Sequence, residues 1–343
     1  MTQARMLSHG TLRCFPAGLR DERGELINVE VSAALYNGKR MILASDKPIP
    51  GPERSAVFSV AMDGTALDDS QLEYFTAATI KGATKYEDFA LTADGRHVLA
   101  TTGFDRIDDG SHDLNAYNHL LIWPLHDPDA AQVVDPDPRD GVMGSLELRA
   151  KLGNAIGMPY YKIEGLAAIP GERGDGLLLF GVREQGNDFA DFDYACRVVG
   201  AHYQVNQAGN LEFIDELRDL YAFDPSRYDG VKHVCGLSSL EYDRYNERLY
   251  LLTSFESEDD GIGGYLWAIS LEDFAAGRAP RLVDDERGQP LVFEHKAEGL
   301  AVIDETRLFV AYDNDRHMGL GSIDERDERH ACEAPYTLLE MRD

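Results

Sequence analysis

Glu164-Gly165-Leu166-Ala167-Ala168 and Glu298-Gly299-Leu300-Ala301-Val302 are near copies of one five-residue segment. Three further segments fit the same frame, in which an oxygen-bearing side chain leads and an apolar residue follows two places later: Ser32-Ala33-Ala34-Leu35-Tyr36, Glu87-Asp88-Phe89-Ala90-Leu91 and Ser238-Ser239-Leu240-Glu241-Tyr242. A segment that recurs at wide, fairly regular spacing is typical of a repeat architecture. These five copies therefore decide the fold class.

A second apolar run follows each copy of the segment after a short polar turn. The runs cover residues 40–44, 97–101, 177–182, 249–253 and 308–312, and an acid usually ends each of them: Asp46, Asp105, Glu184, Glu256 and Asp313. Asn37-Gly38 and Asp63-Gly64 mark tight turns, because these residues tolerate positive φ. The pattern predicts that each repeat is a four-stranded antiparallel meander.

Five such repeats predict an all-β fold, a five-bladed β-propeller that forms a single domain over residues 1–343. The fifth repeat is one strand short, whereas residues 7–15 supply a spare strand at the N-terminus. Lending this strand to the last blade would close the ring and remove an exposed sheet edge. Helical turns are expected only at 215–221 and 271–276, and residues 146–148 are expected to end the second repeat as a strand.

The chain has 343 residues and a formal net charge of -28. Such an acidic chain is a poor partner for nucleic acid or an anionic membrane but is compatible with multivalent cations. It lacks the roughly 18 consecutive apolar residues of a membrane span, and its first residues do not resemble a signal peptide. Its four cysteines are far apart in sequence: Cys14, Cys196, Cys235 and Cys332. We expect a cytoplasmic protein whose partner is a small-molecule ligand or substrate.

The leading residues of the five copies define a candidate metal site. In a propeller the innermost strand of each blade lines the central channel, so these residues would form one ring of oxygens: Ser32, Glu87, Glu164, Ser238 and Glu298. Three carboxylates in a narrow channel resist ionising together, and a divalent cation relieves that repulsion. Calcium accepts six to eight oxygen ligands with flexible geometry, whereas zinc and copper prefer other donors. The ring therefore predicts a Ca²⁺ site; the alternative is that these side chains only cap strands.

Several segments resemble the calcium-activated nucleotidases (apyrases), which are five-bladed propellers. They are Glu30-Val31-Ser32 with Tyr36-Asn37-Gly38-Lys39, Lys85-Tyr86-Glu87, Leu148-Arg149-Ala150 with Pro159-Tyr160 and Ile163-Glu164, Gly236-Leu237-Ser238-Ser239-Leu240, and Lys296-Ala297-Glu298-Gly299-Leu300. The order Ser, Glu, Glu, Ser, Glu is the one with which that family binds its central calcium. The Glu-Gly segments are also similar to those of phytase-like propellers, which have six blades and bind calcium as well.

The resemblance implies a calcium-assisted hydrolysis of nucleoside di- or triphosphates by water. Asp46 would then orient water or metal, and Lys47 and Arg183 would bind phosphate. The chain departs from the family pattern at two basic positions, because Lys47 and Glu184 stand where the family has arginines. Lysine does not reproduce the bidentate fork of arginine.

Two other functions remain open at this stage. One is a non-catalytic propeller in which calcium holds the blades together while a face binds a ligand or protein. The other is a lactonase- or esterase-like propeller that uses the same metal as a Lewis acid.

Overall fold

The computed structural model of the protein describes residues 2–171, 174–257, 261–315 and 317–342. Its strands, in chain order, are β1 Gln3–Arg13, β2 Val31–Tyr36, β3 Arg40–Ser45, β4 Val57–Asp63, β5 Ala66–Tyr74, β6 Tyr86–Leu91, β7 His97–Thr102, β8 Leu120–Pro124, β9 Gln132–Val133, β10 Asp137–Arg139, β11 Val142–Gly144, β12 Tyr160–Pro170, β13 Gly176–Asp188, β14 Asp191–Val205, β15 Leu211–Phe213, β16 Arg218–Ala222, β17 Gly236–Asp243, β18 Arg248–Ser257, β19 Gly261–Ser270, β20 Arg281–Leu282, β21 Val292–Phe293, β22 Ala297–Val302, β23 Arg307–Tyr312 and β24 Glu333–Arg342. The α-helices are α1 Ala78–Gly82, α2 His112–Asn115, α3 Leu146–Ile156 and α4 Leu271–Ala275.

Five antiparallel sheets follow one another along the chain and form the blades of a propeller. Blade 1 is β2–β5, blade 2 is β6–β9, blade 3 is β12–β16, blade 4 is β17–β21, and blade 5 is β22–β24 with β1. The first strand of each blade contacts the first strands of the two neighbouring blades, so β2, β6, β12, β17 and β22 form a closed inner ring. The predicted five-bladed propeller is confirmed.

The N-terminal strand closes the ring, as the sequence predicts. β1 is the outermost strand of blade 5 and pairs with β24 from Gln3 opposite Arg342 to Arg13 opposite Glu333. A register shift between Met6 and Ser8 interrupts the ladder once. The first and last strands of the described residues therefore complete one sheet, and the edges by which they face each other are both paired.

The apolar core consists of five layers, each enclosed between two adjacent blades. Because strand side chains alternate between two faces, neighbouring residues enter different layers. In β2, Ala34 packs toward blade 5 whereas Leu35 packs toward blade 2. Each blade is thus buried on both faces, which explains why its inner strands carry nearly continuous apolar runs.

The fold differs from the expectation in its outer strands and helices. In blades 3 and 4 the fourth strand is split, because β15 and β16 both pair with β14, and β20 and β21 both pair with β19. Residues 146–148, expected as a strand, begin the helix α3, whose buried residues Leu148, Leu152 and Ile156 recur every four positions. The helical turn expected at 215–221 is instead occupied largely by β16. No helix in the described part of the chain is long and apolar enough to cross a membrane.

Candidate functional site

The five residues predicted to form the ring occupy the same structural position in all five blades. Each is the extra residue at a one-residue register shift between the first and second strands of its blade. In blade 2, for example, Tyr86 lies opposite Thr102 and Asp88 opposite Thr101, which leaves Glu87 without a partner. A β-bulge of this kind re-aims the side chain of the extra residue. All five side chains are buried, with at most 3% exposure.

The two serines of the ring connect neighbouring blades. Ser32 Oγ donates a hydrogen bond to the main-chain oxygen of Tyr86 at 2.5 Å, and Ser238 Oγ donates to that of Ala297 at 2.8 Å. In each case the acceptor directly precedes a ring glutamate of the next blade. The proton of each hydroxyl is therefore engaged in a hydrogen bond, while the lone pairs of its oxygen remain available as acceptors.

Each ring glutamate has a lysine two residues before it in the chain. Lys296 Nζ lies 3.0 Å from Glu298 Oε1, and Lys85 Nζ lies 3.7 Å from Glu87 Oε1. Lys162 pairs closely with Glu164 Oε1, and its Nζ also lies 3.3 Å from Glu87 Oε1. Three Lys-x-Glu pairs thus bring ammonium groups into contact with the carboxylates, and Lys162 joins blades 2 and 3.

Arg183, predicted as a phosphate ligand, lies among the ring carboxylates. Its Nη1 is 2.9 Å from Glu164 Oε2, 3.9 Å from Glu298 Oε1 and 2.6 Å from Ser254 Oγ, to which it donates. The Arg183 side chain is only 3% exposed. In this arrangement Arg183 holds the carboxylates of blades 3 and 5 in place.

The ring carboxyl groups differ in their tendency to ionise. Burial disfavours the ionised form of Glu164, but Arg183 and Lys162 outweigh it and lower its pKa to about 2. Burial raises the pKa of Glu87 well above its ordinary value, and it also raises the pKa of Glu298. The nearby charge of Glu164 adds to both increases. As expected for carboxylates that share a site, they do not ionise independently.

One oxygen of each ring glutamate accepts no aligned hydrogen bond from the described residues, although that same oxygen lies within ion-pair distance of a lysine or arginine nitrogen. These buried atoms are Glu87 Oε1, Glu164 Oε2 and Glu298 Oε1. Buried polar atoms without a hydrogen bond are rare in proteins and call for an explanation. Carboxylate and hydroxyl oxygens are the donors that hard divalent cations prefer, so the ring has the residue types of a calcium site. Among the described residues, however, the acids that bring one oxygen each within 4.8 Å of one another are Glu30, Asp313 and Asp315 rather than the three ring glutamates.

The other predicted catalytic residues lie next to the ring, in a region that we call the channel mouth (Glu30, Asp46, Lys47, Asp313 and Asp315). Lys47 is half exposed and pairs closely with Glu30, and its Nζ lies 3.7 Å from Asp46 Oδ1. Glu30, Asp313 and Asp315 each place one oxygen within 4.8 Å of the others, close enough to share a cation. Lys296 Nζ lies 3.2 Å from Asp315 Oδ2 and so connects the channel mouth to the ring.

Two cavities open at the channel mouth and share Lys47. One, of about 350 Å³, is lined by Glu30, Lys47, Glu256, Asp315 and His317. The other, of about 360 Å³, is lined in part by Asp46, Lys47, Lys85, Arg106 and Tyr117. Both volumes fall in the range of small-molecule sites. A larger cavity of about 680 Å³ lies between blades 3 and 4 and contains none of the predicted site residues.

Asp88, which follows the ring residue of blade 2, is bonded very differently. Its Oδ2 accepts the main-chain N–H groups of Leu166 at 2.8 Å and Leu240 at 3.1 Å, and the hydroxyl of Ser239 at 3.1 Å. Its Oδ1 accepts the N–H of Phe89 at 2.9 Å. This fully buried carboxyl therefore connects blades 2, 3 and 4 at the centre of the molecule.

Sequence reasoning identified Lys47 and Arg183 as basic residues of the site, but it missed three lysines and the acid Glu30. The signal for Lys85, Lys162 and Lys296 was present, because a lysine stands two places before the leading residue in the three glutamate copies and in neither serine copy. Glu30 occupies the same position in the first copy, before Ser32.

No protein-family profile matches the sequence, and no curated protein matches it significantly. Similar solved structures include the catalytic domain of a Coprinopsis cinerea GH62 α-L-arabinofuranosidase, at 11% identity and a TM-score of 0.44, covering 98% of this chain and 97% of that chain. Another is Pseudomonas fluorescens PhoX in complex with vanadate, a transition state analogue, at 8% identity and a TM-score of 0.44, covering 98% and 96%. A GH43 β-1,3-galactosidase is similar at 10% identity and a TM-score of 0.43, covering 94% of each chain. At such low identity and TM-score these similarities say nothing about the chemistry of the channel.

Proposed function

We propose that the protein is a calcium-dependent hydrolase of a phosphorylated, nucleotide-like small molecule. The observation that carries the proposal is the set of three buried carboxylates, contributed by equivalent bulges of three blades, each with one oxygen that accepts no hydrogen bond. With Ser32 and Ser238 these residues would hold Ca²⁺, which would neutralise phosphate charge when bound. The acidity of the chain, with a net charge of -28, argues against nucleic acid or an anionic membrane as partner.

The channel mouth supplies the groups that would act on the substrate. Lys47 is the phosphate contact, because it is half exposed and borders both cavities of the mouth. Asp46 lies beside it and would orient water or metal; its Oδ1 accepts no hydrogen bond from the described residues. Arg183 would act through Glu164 and Glu298, since contact with phosphate would require it to leave both carboxylates and Ser254.

A second candidate is a non-catalytic propeller in which calcium is structural and the channel mouth binds a ligand or protein. The observation that favours it is that the basic groups nearest the ring, Lys162, Arg183 and Lys296, are already engaged by carboxylates. Such groups have little remaining capacity to stabilise charge that develops on a substrate.

A thermal melt with excess calcium and with chelator tests the metal site. Calcium at about 100 times its dissociation constant should stabilise the protein by about 2.7 kcal/mol. Glu164→Gln should abolish the difference between calcium and chelator, whereas Glu22→Gln, at an exposed position, should preserve it. Equal melting of the wild-type protein in calcium and chelator would refute the site.

Phosphate release from nucleoside di- and triphosphates then separates the two candidates. The hydrolase should release phosphate only with calcium, and Lys47→Ala should lose most of this activity while Lys39→Ala, an exposed lysine in a turn, keeps it. A calcium-stabilised protein that releases no phosphate from any of them would support the non-catalytic alternative. Full activity of Lys47→Ala would disprove the role given to Lys47.

A further inference from the structure

Two cysteines that are far apart in sequence face each other where the propeller ring closes. The ladder between β1 and β24 ends with Arg13 opposite Glu333, and the same register places Cys14 opposite Cys332. The main-chain N–H of Cys14 donates to the oxygen of Cys332 at 2.8 Å, which shows that the pairing continues to these residues. Both side chains are buried, with 0% and 3% exposure.

This placement suits a covalent bond between the two sulfurs. Residues that form a hydrogen-bonded pair across antiparallel strands have Cα atoms about 5.5 Å apart, and their side chains lie on the same face. Disulfides span Cα separations of about 4.4–6.8 Å. Burial and then Cys332 raise the pKa of Cys14, just as burial and then Cys235 raise the pKa of Cys196, so the strand register and not the electrostatics distinguishes this pair.

The position of the pair matters because β1 joins the rest of blade 5 through β24. Cys14 and Cys332 belong to the apolar layer between blades 5 and 1, together with Leu12, Phe15 and Ala334. A bond at this point would join the beginning of the propeller to its last strand and enclose nearly the whole chain in one covalent loop.

We propose that Cys14 and Cys332 are a site of oxidative modification, at which a low-molecular-weight disulfide such as glutathione disulfide converts the two thiols into a cross-strand disulfide that locks the ring. One cysteine thiolate attacks the small disulfide, forms a mixed disulfide and releases one small thiol. The second cysteine thiolate then attacks the protein sulfur of that mixed disulfide and releases the second small thiol. Two protons leave the cysteines, and two electrons pass to the small disulfide, which is reduced to two thiols.

Burial determines when this exchange occurs. In the closed ring neither sulfur is accessible to a second molecule, and burial disfavours the thiolate that must attack. The first exchange, with the small disulfide, therefore occurs while β1 is detached. Docking of β1 then brings the second cysteine to the mixed disulfide, and the closed propeller protects the resulting bond from reductants. Because the bond closes a very long loop in the unfolded chain, it stabilises the closed form.

The other two cysteines provide a matched comparison. Cys196 lies in β14 and Cys235 precedes β17, so no strand register places them opposite each other. Cys196 Sγ is 3.8 Å from the main-chain oxygen of Cys235, and the Cys235 thiol interacts with Thr253. Both cysteines are buried, as are Cys14 and Cys332, so a double substitution at this pair controls for the loss of buried thiols.

The test is to refold the full-length protein in a mixture of reduced and oxidised glutathione, block free thiols, and map peptides without reduction by mass spectrometry. We expect a peptide that links Cys14 to Cys332 and a melting temperature about 5 °C above that of the reduced protein. The double variant Cys196→Ser with Cys235→Ser should retain both results, and Cys332→Ser should lose both.

Three outcomes would overturn the proposal: free Cys14 and Cys332 thiols after refolding, glutathione attached to either residue without a link between them, or a linked protein that melts no higher than the reduced one. Should Cys332→Ser fail to fold, the peptide map and the melts of the wild-type protein decide the question alone.

Discussion

Glu87 and Asp88 are consecutive buried carboxyl residues of one inner strand, yet their surroundings have little in common. Asp88 accepts hydrogen bonds from three main-chain N–H groups and one hydroxyl, contributed by blades 2, 3 and 4. Glu87 Oε1 accepts no hydrogen bond from the described residues and lies within ion-pair distance of the ammonium groups of Lys85 and Lys162.

Under the proposed function, the difference separates a structural carboxyl group, that of Asp88, from a carboxyl group that would bind a cation, that of Glu87. The main-chain N–H groups that bind Asp88 belong to the strands of the blades. These hydrogen bonds therefore persist as long as the blades stay folded. The ammonium groups beside Glu87 are on flexible stems and can yield to a cation that binds more strongly. The β-bulge causes the contrast, because it turns Glu87 out of the ladder while Asp88 pairs opposite Thr101.

The largest effect should come from Asp88→Ala, which removes the structural carboxyl group. The substitution leaves the N–H groups of Leu166 and Leu240 buried without acceptors, so we expect a loss of about 3–5 kcal/mol in the free energy of unfolding. Denaturant titration would measure it. Asp88→Asn, which keeps one of the two acceptor oxygens, should lose less, and an alanine variant as stable as the wild-type protein would show that these bonds contribute nothing.

Glu87→Gln should remove the difference in melting between calcium and chelator, which corresponds to about 2.7 kcal/mol at 100 times the dissociation constant. Melting is compared between calcium and chelator within each variant. Any stability that a variant loses with its ion pairs therefore cancels from the difference. Asp88→Asn is the neighbouring control and should keep the calcium response. If the two variants respond to calcium equally, the proposed division between the two carboxyl groups is wrong.

Glu241 is an intermediate case, and its expected effect is the smallest of the three when it is measured over one pH unit. It accepts one main-chain N–H, from Val302 at 3.2 Å, and burial raises its pKa from 4.5 to about 8. The folded protein therefore holds a proton that the unfolded chain has lost, and its stability should fall as the pH rises from about 5 to 8, by at most about 1.4 kcal/mol per pH unit.

Unfolding free energies measured across this pH range for the wild-type protein and Glu241→Gln would check the expectation. The difference between the two should grow in favour of the glutamine variant as the pH rises, whereas Glu22→Gln, exposed to solvent, should follow the wild-type protein. Parallel pH profiles for Glu241→Gln and the wild-type protein would contradict the raised pKa.

The blade count, the ring closure and the equivalence of the five ring positions could be predicted from the sequence, because each depends on a local segment that recurs. The helix α3 was missed although Leu148, Leu152 and Ile156 show a helical spacing. The short segment Leu146-Glu147-Leu148, in which apolar residues flank a polar one, also fits a strand, and a segment of that length does not distinguish the two.

Contacts between distant parts of the chain could not be predicted from the sequence. Nothing near Cys14 indicates that Cys332 lies opposite, since that depends on the register of the closing strand. In the same way, the ion pair between Arg183 and Glu298 exists only once blades 3 and 5 both face the channel. A single sequence carries residue types and local periodicity, whereas these pairings follow from the whole ring.

The strand that closes the ring also affects how the protein can be made. β1 is synthesised before the other described strands, and its partner β24 is synthesised after them. Throughout synthesis the edges that these two strands will later share remain unpaired and open to pairing with another chain. We expect the final, chain-spanning contact to be the slow step of folding. A truncated chain that lacks β24 should therefore associate with others of its kind, rather than form a smaller propeller.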